Sequence, residues 1–337
     1  MRVLIAGLGA IGQRHARNLR ALRPDVELHA FRQRRLRHVV TESLTRDDSR
    51  DVEHELGITS HDDLDAALAV RPDAVFVCTP SALHLDVALR AAEARCHLFI
   101  EKPVSHTSDG LGRLRALVAQ HELVAMVGCQ WRFHPCVARL REIIISGALG
   151  AVTKAEIDYA EYLPDWHPYE DYRTSYAARK ELGGGVVLAQ IHDYDMAWWL
   201  FGAVHTVHAT GGTLSALEID VEDTVRAQLD TASGPVIVSQ TFAERPPRRS
   251  VVVHGTLARA SLDLISARLV VEPPVAEGLA PVDYQRNEMF RAELGDFLSC
   301  MERSATPLVP LADGVAVLHV ALAVKRSLRT GRPVPLT

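Results

Sequence analysis

The 337-residue sequence predicts an α/β chain of two domains. Residues 1–128 read as a doubly wound parallel sheet that binds a dinucleotide. Residues 129–337 read as an α+β domain built on a large, mostly antiparallel sheet. Three observations lead there. A glycine-rich turn, Gly7-Leu-Gly-Ala-Ile-Gly12, lies between an apolar run and a helical stretch. Through residue 127, strand-like runs alternate with amphipathic helical ones, the pattern of a parallel sheet with helices on its faces. Past residue 130, strand follows strand with short turns, which implies antiparallel pairing.

Arg2 to Ala6 is an apolar strand, and the helical stretch Gln13 to Leu22 follows the glycines. G-x-G-x-x-G carries meaning in this strand–turn–helix context. The first glycine allows the tight turn, the second lets a pyrophosphate approach the backbone, and the third lets helix and strand pack closely. The helix N-terminus then faces the phosphates. The bland alternative is a structural glycine turn. Val26 to Phe31 is the second strand. An NAD site usually places Asp or Glu about twenty residues past the glycines, on the ribose 2′-hydroxyl. Here the chain reads Phe31-Arg32-Gln33-Arg34-Arg35, with no acid. Arginines suit a 2′-phosphate, so NADP is favoured and NAD remains possible. The alternative is a solvated basic loop.

Asp62 to Val70 reads as a short helix. Val75 to Val77 is a strand stopped by Thr79-Pro80, and Ser81 is a candidate N-cap for a helix over Ala82 to Ala94. His97 to Ile100 is the next buried strand, and it ends on Glu101-Lys102-Pro103. Charged residues are disfavoured inside a buried parallel strand. Two of them where such a strand stops point to a site at the carboxyl edge of the sheet. Lys102 also stands out by composition: of 37 basic residues only Lys102, Lys154, Lys180 and Lys325 are lysines. Lysine can lose its proton when desolvated and arginine cannot, so a proton-transfer role fits. The alternative is a surface lysine closing a strand. Thr107 or Ser108 caps a helix running to His121, and Val124 to Val127 is a further strand.

In the second half, Cys129-Gln-Trp-Arg-Phe-His-Pro135 leads into a helix over Val137 to Ser146 and a turn at Gly147 to Gly150. Strands follow over Ala151 to Tyr162, Val204 to Gly211, Thr224 to Asp230, Val236 to Phe242, Val251 to His254 and Arg259 to Leu264. Val225, Ala227 and Leu229 alternate with polar residues, as on a sheet with one covered face. Asn287 to Met301 and Asp313 to Arg329 are closing helices, the last able to pack back on the first domain. Leu163 to Lys180 is rich in Tyr, Trp, His and Asp. Aromatic platforms beside carboxylates and Arg suit a polyhydroxylated ligand, although such a loop also forms for packing alone. After Gly183-Gly-Gly185, Val186 to Phe201 reads as helix. Its His192 and Asp195 share a face, where a carboxylate would fix the histidine tautomer and raise its basicity. His-x-x-Asp also arises by chance on a wet helix face.

A net charge of -5 gives no reason to invoke nucleic acid. No apolar run reaches the roughly 18 residues that span a membrane, and the start runs straight into a strand with no signal peptide. The five cysteines include no C-x-x-C pair. They read as thiols in a reducing cytoplasm, and no cluster has convincing metal spacing.

Taken in order, these motifs resemble the glucose-fructose oxidoreductase/inositol dehydrogenase (Gfo/Idh/MocA) family. The matching residues are Gly7 to Gly12, Thr79-Pro80 with His84, Glu101-Lys102-Pro103, Arg132-Phe-His-Pro135, Gly183-Gly-Gly185 with His192-x-x-Asp195, and Gly331-Arg-Pro333. The resemblance implies a Rossmann domain, an open-faced second sheet, and a homodimer or homotetramer formed through that sheet. It implies hydride transfer between NAD(P) and a ring hydroxyl of a sugar, sugar derivative or cyclitol. Lys102 would be the acid–base residue and His192 its partner. Candidate cofactor contacts are Gly7, Gly9, Ala10, Ile11, Gly12, Arg32, Gln33, Arg34, Cys78, Thr79, Pro80, His84, Glu101 and Lys102. Candidate substrate contacts are Gln130, Arg132, Trp166, Tyr172, Asp193 and Asp195. One departure stands out. Many relatives carry Asp three or four residues before this histidine, where this chain has Leu188 and Ala189, followed by Gln190. Two rival readings follow: a cofactor-bound sugar sensor without catalysis, and a redox-neutral enzyme that cleaves glycosides through transient oxidation.

Overall fold

The computed structural model describes residues 1–33, 37–41, 44–281 and 283–336. The chain divides into two compact units. The first is Met1–Cys129 with His167–Asp171 and Phe290–Val315; the second is Gln130–Trp166, Tyr172–Met289 and Ala316–Thr337.

The first unit is organised on a sheet of strands β1 (Arg2–Ala6), β2 (Glu27–Phe31), β5 (Ile58–His61), β6 (Ala74–Val77), β7 (His97–Glu101) and β8 (Ala125–Gly128). Their order is β5-β2-β1-β6-β7-β8 and every pairing is parallel. A two-residue hairpin, β3 (Val39–Val40) with β4 (Arg46–Asp47), lies outside it. The crossover helices are α1 (Ala10–Leu22), α2 (Val52–Leu56), α3 (Leu64–Ala69), α4 (His84–Glu93) and α5 (Leu111–Gln120). The central strands are apolar throughout because both faces are covered: Val3 to Ala6, Ala74 to Val77 and Leu98 to Ile100 are fully buried. Phe76 and Phe99 stack at 4.8 Å, and Phe297 meets each edge-on at 5.5 Å. Phe297 belongs to α9 (Asn287–Arg303), so a distant stretch of sequence completes this core. A fully buried phenylalanine contributes roughly 1.5–3 kcal/mol.

The second unit holds α6 (Pro135–Ile145), β9 (Val152–Tyr162), α7 (Val186–Ala189), α8 (His192–Phe201), β10 (Val204–Gly212), β11 (Thr224–Thr231), β12 (Gly234–Thr241), β13 (Ala243–Gly255), β14 (Arg259–Asp263), β15 (Arg268–Glu272), most of α10 (Leu311–Thr330), and β16 (Val334–Pro335). The strand order is β15-β14-β13-β9-β12-β11-β10-β16. The β12–β9 pair is parallel and the other pairings are antiparallel. Buried and exposed residues alternate along β11, so one sheet face is covered and the other is open.

Several local expectations differ from the structure. Ser81 caps nothing: a 3₁₀ turn over Ser81–Leu83 precedes α4, whose N-cap is Leu83. Gly110, with φ 83°, starts α5 in place of Thr107 or Ser108. Asp63 is the side chain that caps α3, accepting from the Ala66 N–H at 2.8 Å. The helix expected over Val186 to Phe201 is two helices broken at Gln190, which has φ -108° and ψ 37°. The strand expected over Val251 to His254 begins as early as Ala243.

Candidate active site

The glycine turn follows β1. Gly7 has φ 100°, and a Cβ there would lie 2.6 Å from the Cys78 carbonyl oxygen. At Gly12 a Cβ would come within 2.1 Å of the Gly7 oxygen, so α1 packs against the turn only because that atom is absent. Gly9 is different: a Cβ built on it meets nothing within 4 Å. Gly9 is also the N-cap of α1, which has no side-chain cap and no acid in its first turn. Ala10 and Ile11 open that turn. The exposed Gly9 thus opens a helix whose first turn has neither a side-chain cap nor a carboxylate, the arrangement a pyrophosphate needs.

Six more candidates gather at the carboxyl ends of the neighbouring strands β6 and β7. Cys78, Thr79 and Pro80 follow β6. Burial pushes the Cys78 thiol well up, so it is no nucleophile. The Thr79 hydroxyl is buried with no hydrogen-bond partner among the described residues. His84 ties the two strand ends together: Nδ1 lies 2.7 Å from the Pro103 carbonyl oxygen and Nε2 2.7 Å from that of Thr79. Burial pushes His84 down, against the two carbonyls, which favour its protonated form.

Glu101 closes β7 and is buried. His15, on the inner face of α1, places Nε2 2.7 Å from its Oε1. Burial alone would raise the Glu101 carboxyl. The His15 hydrogen bond, with the charges of His15, Lys102 and His84, outweighs that and holds it low. An ionised carboxylate only accepts, so Nε2 of His15 carries the hydrogen. Glu101 is legible in the sequence, whereas His15 carries no sequence signal beyond its place three residues past Gly12. Lys102 follows, half-buried, with its backbone N–H 3.3 Å from Glu101 Oε2.

Arg32, at the end of β2, is buried and donates from Nη1 to Glu53 Oε1 of α2 at 2.9 Å. Gln33 is exposed, and Arg34 lies outside the described residues.

In the second unit, Gln130 and Arg132 sit in a buried turn ahead of α6. Arg132 donates to Asp195 through Nε and Nη2, the latter at 2.6 Å, and both side chains are buried. The carboxylate expected beside His192 is thus engaged by Arg132. His192 is buried at the start of α8. Asp193 is also buried. Its Oδ2 accepts from Gln240 Nε2 at 2.7 Å, while Oδ1 has no hydrogen-bond partner among the described residues. Burial pushes the Asp193 carboxyl up, and Arg249 and Gln240 only partly offset this. Trp166 packs its ring on Phe242 at 5.1 Å and Tyr159 at 6.5 Å. The Tyr172 hydroxyl accepts from the Glu218 N–H at 3.2 Å, so it ties its own turn to the segment between β10 and β11. Gln190, at the helix break, accepts from Arg249 Nη2 at 2.5 Å through Oε1. Among the described residues no group of three or more His, Cys, Asp or Glu is placed to hold a metal ion, and no helix is long and apolar enough to cross a membrane.

A parallel sheet with a bare glycine turn at its carboxyl edge defines the dinucleotide-binding class of α/β proteins. Comparison with known proteins sharpens this. Residues 1–129 match the model of the "Oxidoreductase family, NAD-binding Rossmann fold", and residues 137–261 match the "GFO/IDH/MocA C-terminal domain". The chain belongs to the Gfo/Idh/MocA family of oxidoreductases. It is 28% identical over 356 residues to the scyllo-inositol 2-dehydrogenase (NAD(+)) of Bacillus subtilis, covering 100% of this chain and 96% of that one. It is 28% identical over 351 residues to the myo-inositol 2-dehydrogenase of Thermotoga maritima, covering 100% and 98%. Among solved structures, levoglucosan dehydrogenase in complex with NADH superposes with a TM-score of 0.84 at 20% identity, over 100% of this chain and 99% of that one, a likeness of fold.

Proposed function

We infer that the chain is an NAD(P)-dependent dehydrogenase, with NADP favoured. It would transfer hydride to or from a ring hydroxyl or keto carbon of a sugar, sugar derivative or cyclitol. One observation carries this reading. Within the first unit, the open Gly9 turn, the Thr79 hydroxyl and Lys102 all follow the carboxyl ends of the adjacent strands β1, β6 and β7. That edge is where open α/β sheets bind nucleotides. The inositol dehydrogenases among its relatives support a cyclic polyol as substrate.

The bound dinucleotide supplies the hydride acceptor or donor. Gly7, Gly9, Gly12 and the first turn of α1 would hold its pyrophosphate. Lys102 would take or give the hydroxyl proton and stabilise the developing alkoxide. The buried Glu101–His15 pair anchors the residue before Lys102, and His84 fastens the residue after it. His192 would orient the substrate hydroxyl. The NADP preference rests on the lack of a carboxylate at the end of β2 and on Arg34, because Arg32 already pairs with Glu53. A homodimer or homotetramer through the open face of the second sheet belongs to the same reading.

The test is calorimetric titration of cofactor-stripped protein with NADPH and, in parallel, NADH, followed by a screen of sugars and cyclitols. Tighter NADPH binding and turnover of a cyclic polyol support the reading. Tighter NADH binding overturns the NADP preference alone. Binding of neither cofactor overturns the dehydrogenase.

A further inference from the structure

Arg249 lies on β13 in the second unit and is only 7% exposed. Its guanidinium sits over two aromatic rings, 4.9 Å from the Trp131 centroid and 4.5 Å from that of Tyr159. Its hydrogen bond is to a neutral group, the side-chain amide oxygen of Gln190. Among the described residues no carboxylate forms an ion pair with it. The contrast with Arg132 is direct, since that guanidinium is fully neutralised by Asp195 in the same unit. A charge this far from water is costly when unpaired. Evolution commonly tolerates such a cost where a ligand completes the pair.

The donor arithmetic leaves room for that ligand. A guanidinium has five N–H donors, arranged as two forks that share Nη2. Gln190 Oε1 occupies one hydrogen of Nη2. Whichever hydrogen it takes, one complete two-donor fork remains, and a fork matches a carboxylate bidentately. The surrounding charges are of both signs, and none is ion-paired with Arg249 among the described residues. Arg286 adds a second positive charge near Arg249. Two carboxylates lie nearby: Glu161, which accepts from the Tyr159 hydroxyl at 3.1 Å, and the buried Asp193, whose carboxyl Arg249 favours in its ionised form against the push of burial. Gln190 itself belongs to the helix break that leads into His192, two residues on.

We propose that Arg249, held by Gln190 and stacked on Trp131 and Tyr159, recognises a carboxylate on the substrate, so that the preferred substrate is a sugar acid of the uronate type. This rests on the dehydrogenase reading for its chemistry, and its binding test does not need turnover. Gln190 is then a positioning residue: it orients the fork without cancelling its charge, which Glu at the same position would do.

The experiment measures binding by calorimetry, with NADP(H) or NAD(H) saturating, of D-glucuronate, D-galacturonate and D-mannuronate. Glucose, galactose, mannose and glucose 6-phosphate serve as controls, and NAD(P)⁺-dependent oxidation is followed in parallel. At least one uronate is expected to bind about tenfold or more tighter than its neutral parent. Q190E and R249Q should each remove that preference while changing affinity for the neutral parent less than about twofold. R249K should lie between, because it keeps the charge and loses the fork. Q190E retains Arg249 and its stacking, so it still decides the matter should R249Q fail to fold. Equal binding of acids and parents, a uronate preference untouched by Q190E, or preference for the phosphate ester would each overturn the assignment. Arg249-dependent uronate binding without any oxidation would uphold it and sink the dehydrogenase reading instead.

Discussion

Arg132 and Asp195 hold each other in a buried, two-point contact, with Nε 3.1 Å from Oδ2 and Nη2 2.6 Å from Oδ1. The pair links the turn ahead of α6 to the first turn of α8, the helix that begins with His192. Each charge is compensated there by the other. Asp195→Asn should cost about 3–5 kcal/mol in a denaturant titration, since it strands a buried guanidinium. A joint replacement by apolar residues of similar volume should cost less than either single change. A loss below about 1 kcal/mol for Asp195→Asn would show that the contact contributes little.

Lys102→Ala should lower kcat by about 10² or more, the scale of losing a general acid–base. Titration with NADPH or NADH should be nearly unchanged. Turnover near the wild-type rate would remove Lys102 from the chemistry.

Two glycines of the turn, Gly12 and Gly9, should respond differently. Gly12→Ala drives a Cβ onto the Gly7 oxygen and should destabilise the fold by roughly 1–3 kcal/mol. Gly9→Ala meets open space and should leave thermal stability alone, while weakening dinucleotide binding about tenfold or more. Unchanged affinity in Gly9→Ala would mean that no phosphate approaches there.

Asp193 gives a pH signature. Its folded carboxyl is pushed up by burial, so the unfolded chain ionises first as pH rises. Wild-type stability should therefore fall from the ordinary aspartate range upward and level off past the raised value. Asp193→Asn keeps an oxygen for Gln240 and has nothing to ionise. Its stability relative to wild type should rise across that same window. Parallel stability curves for the two proteins would show that Asp193 does not titrate abnormally.

Arg34→Ala should weaken NADPH more than NADH, because only NADPH carries the 2′-phosphate. Arg32→Ala should act chiefly on stability, through loss of its Glu53 partner. Equal losses for both cofactors in Arg34→Ala would reject the phosphate contact.

The sequence alone determined the two sheet types, the glycine turn after the first strand and the place of Lys102 at a strand's carboxyl end. These rest on short-range physics: periodicity, glycine conformation, and the exclusion of charge from buried parallel strands. Where only local chemistry competes, such as the caps of α4 and α5, a wrong choice cost a few residues at a boundary. Tertiary structure decided which charges meet. Sequence spacing offered Asp195 to His192, but Arg132, sixty-three residues away, holds it. It offered Arg32 to a phosphate, and the fold also sets Glu53 against it. It passed over His15, Gln190 and Arg249, because whether a polar side chain is neutralised or left charged depends on what the fold packs beside it. Pairing energy falls off within a few ångströms, and that distance exists only once the strands are laid side by side.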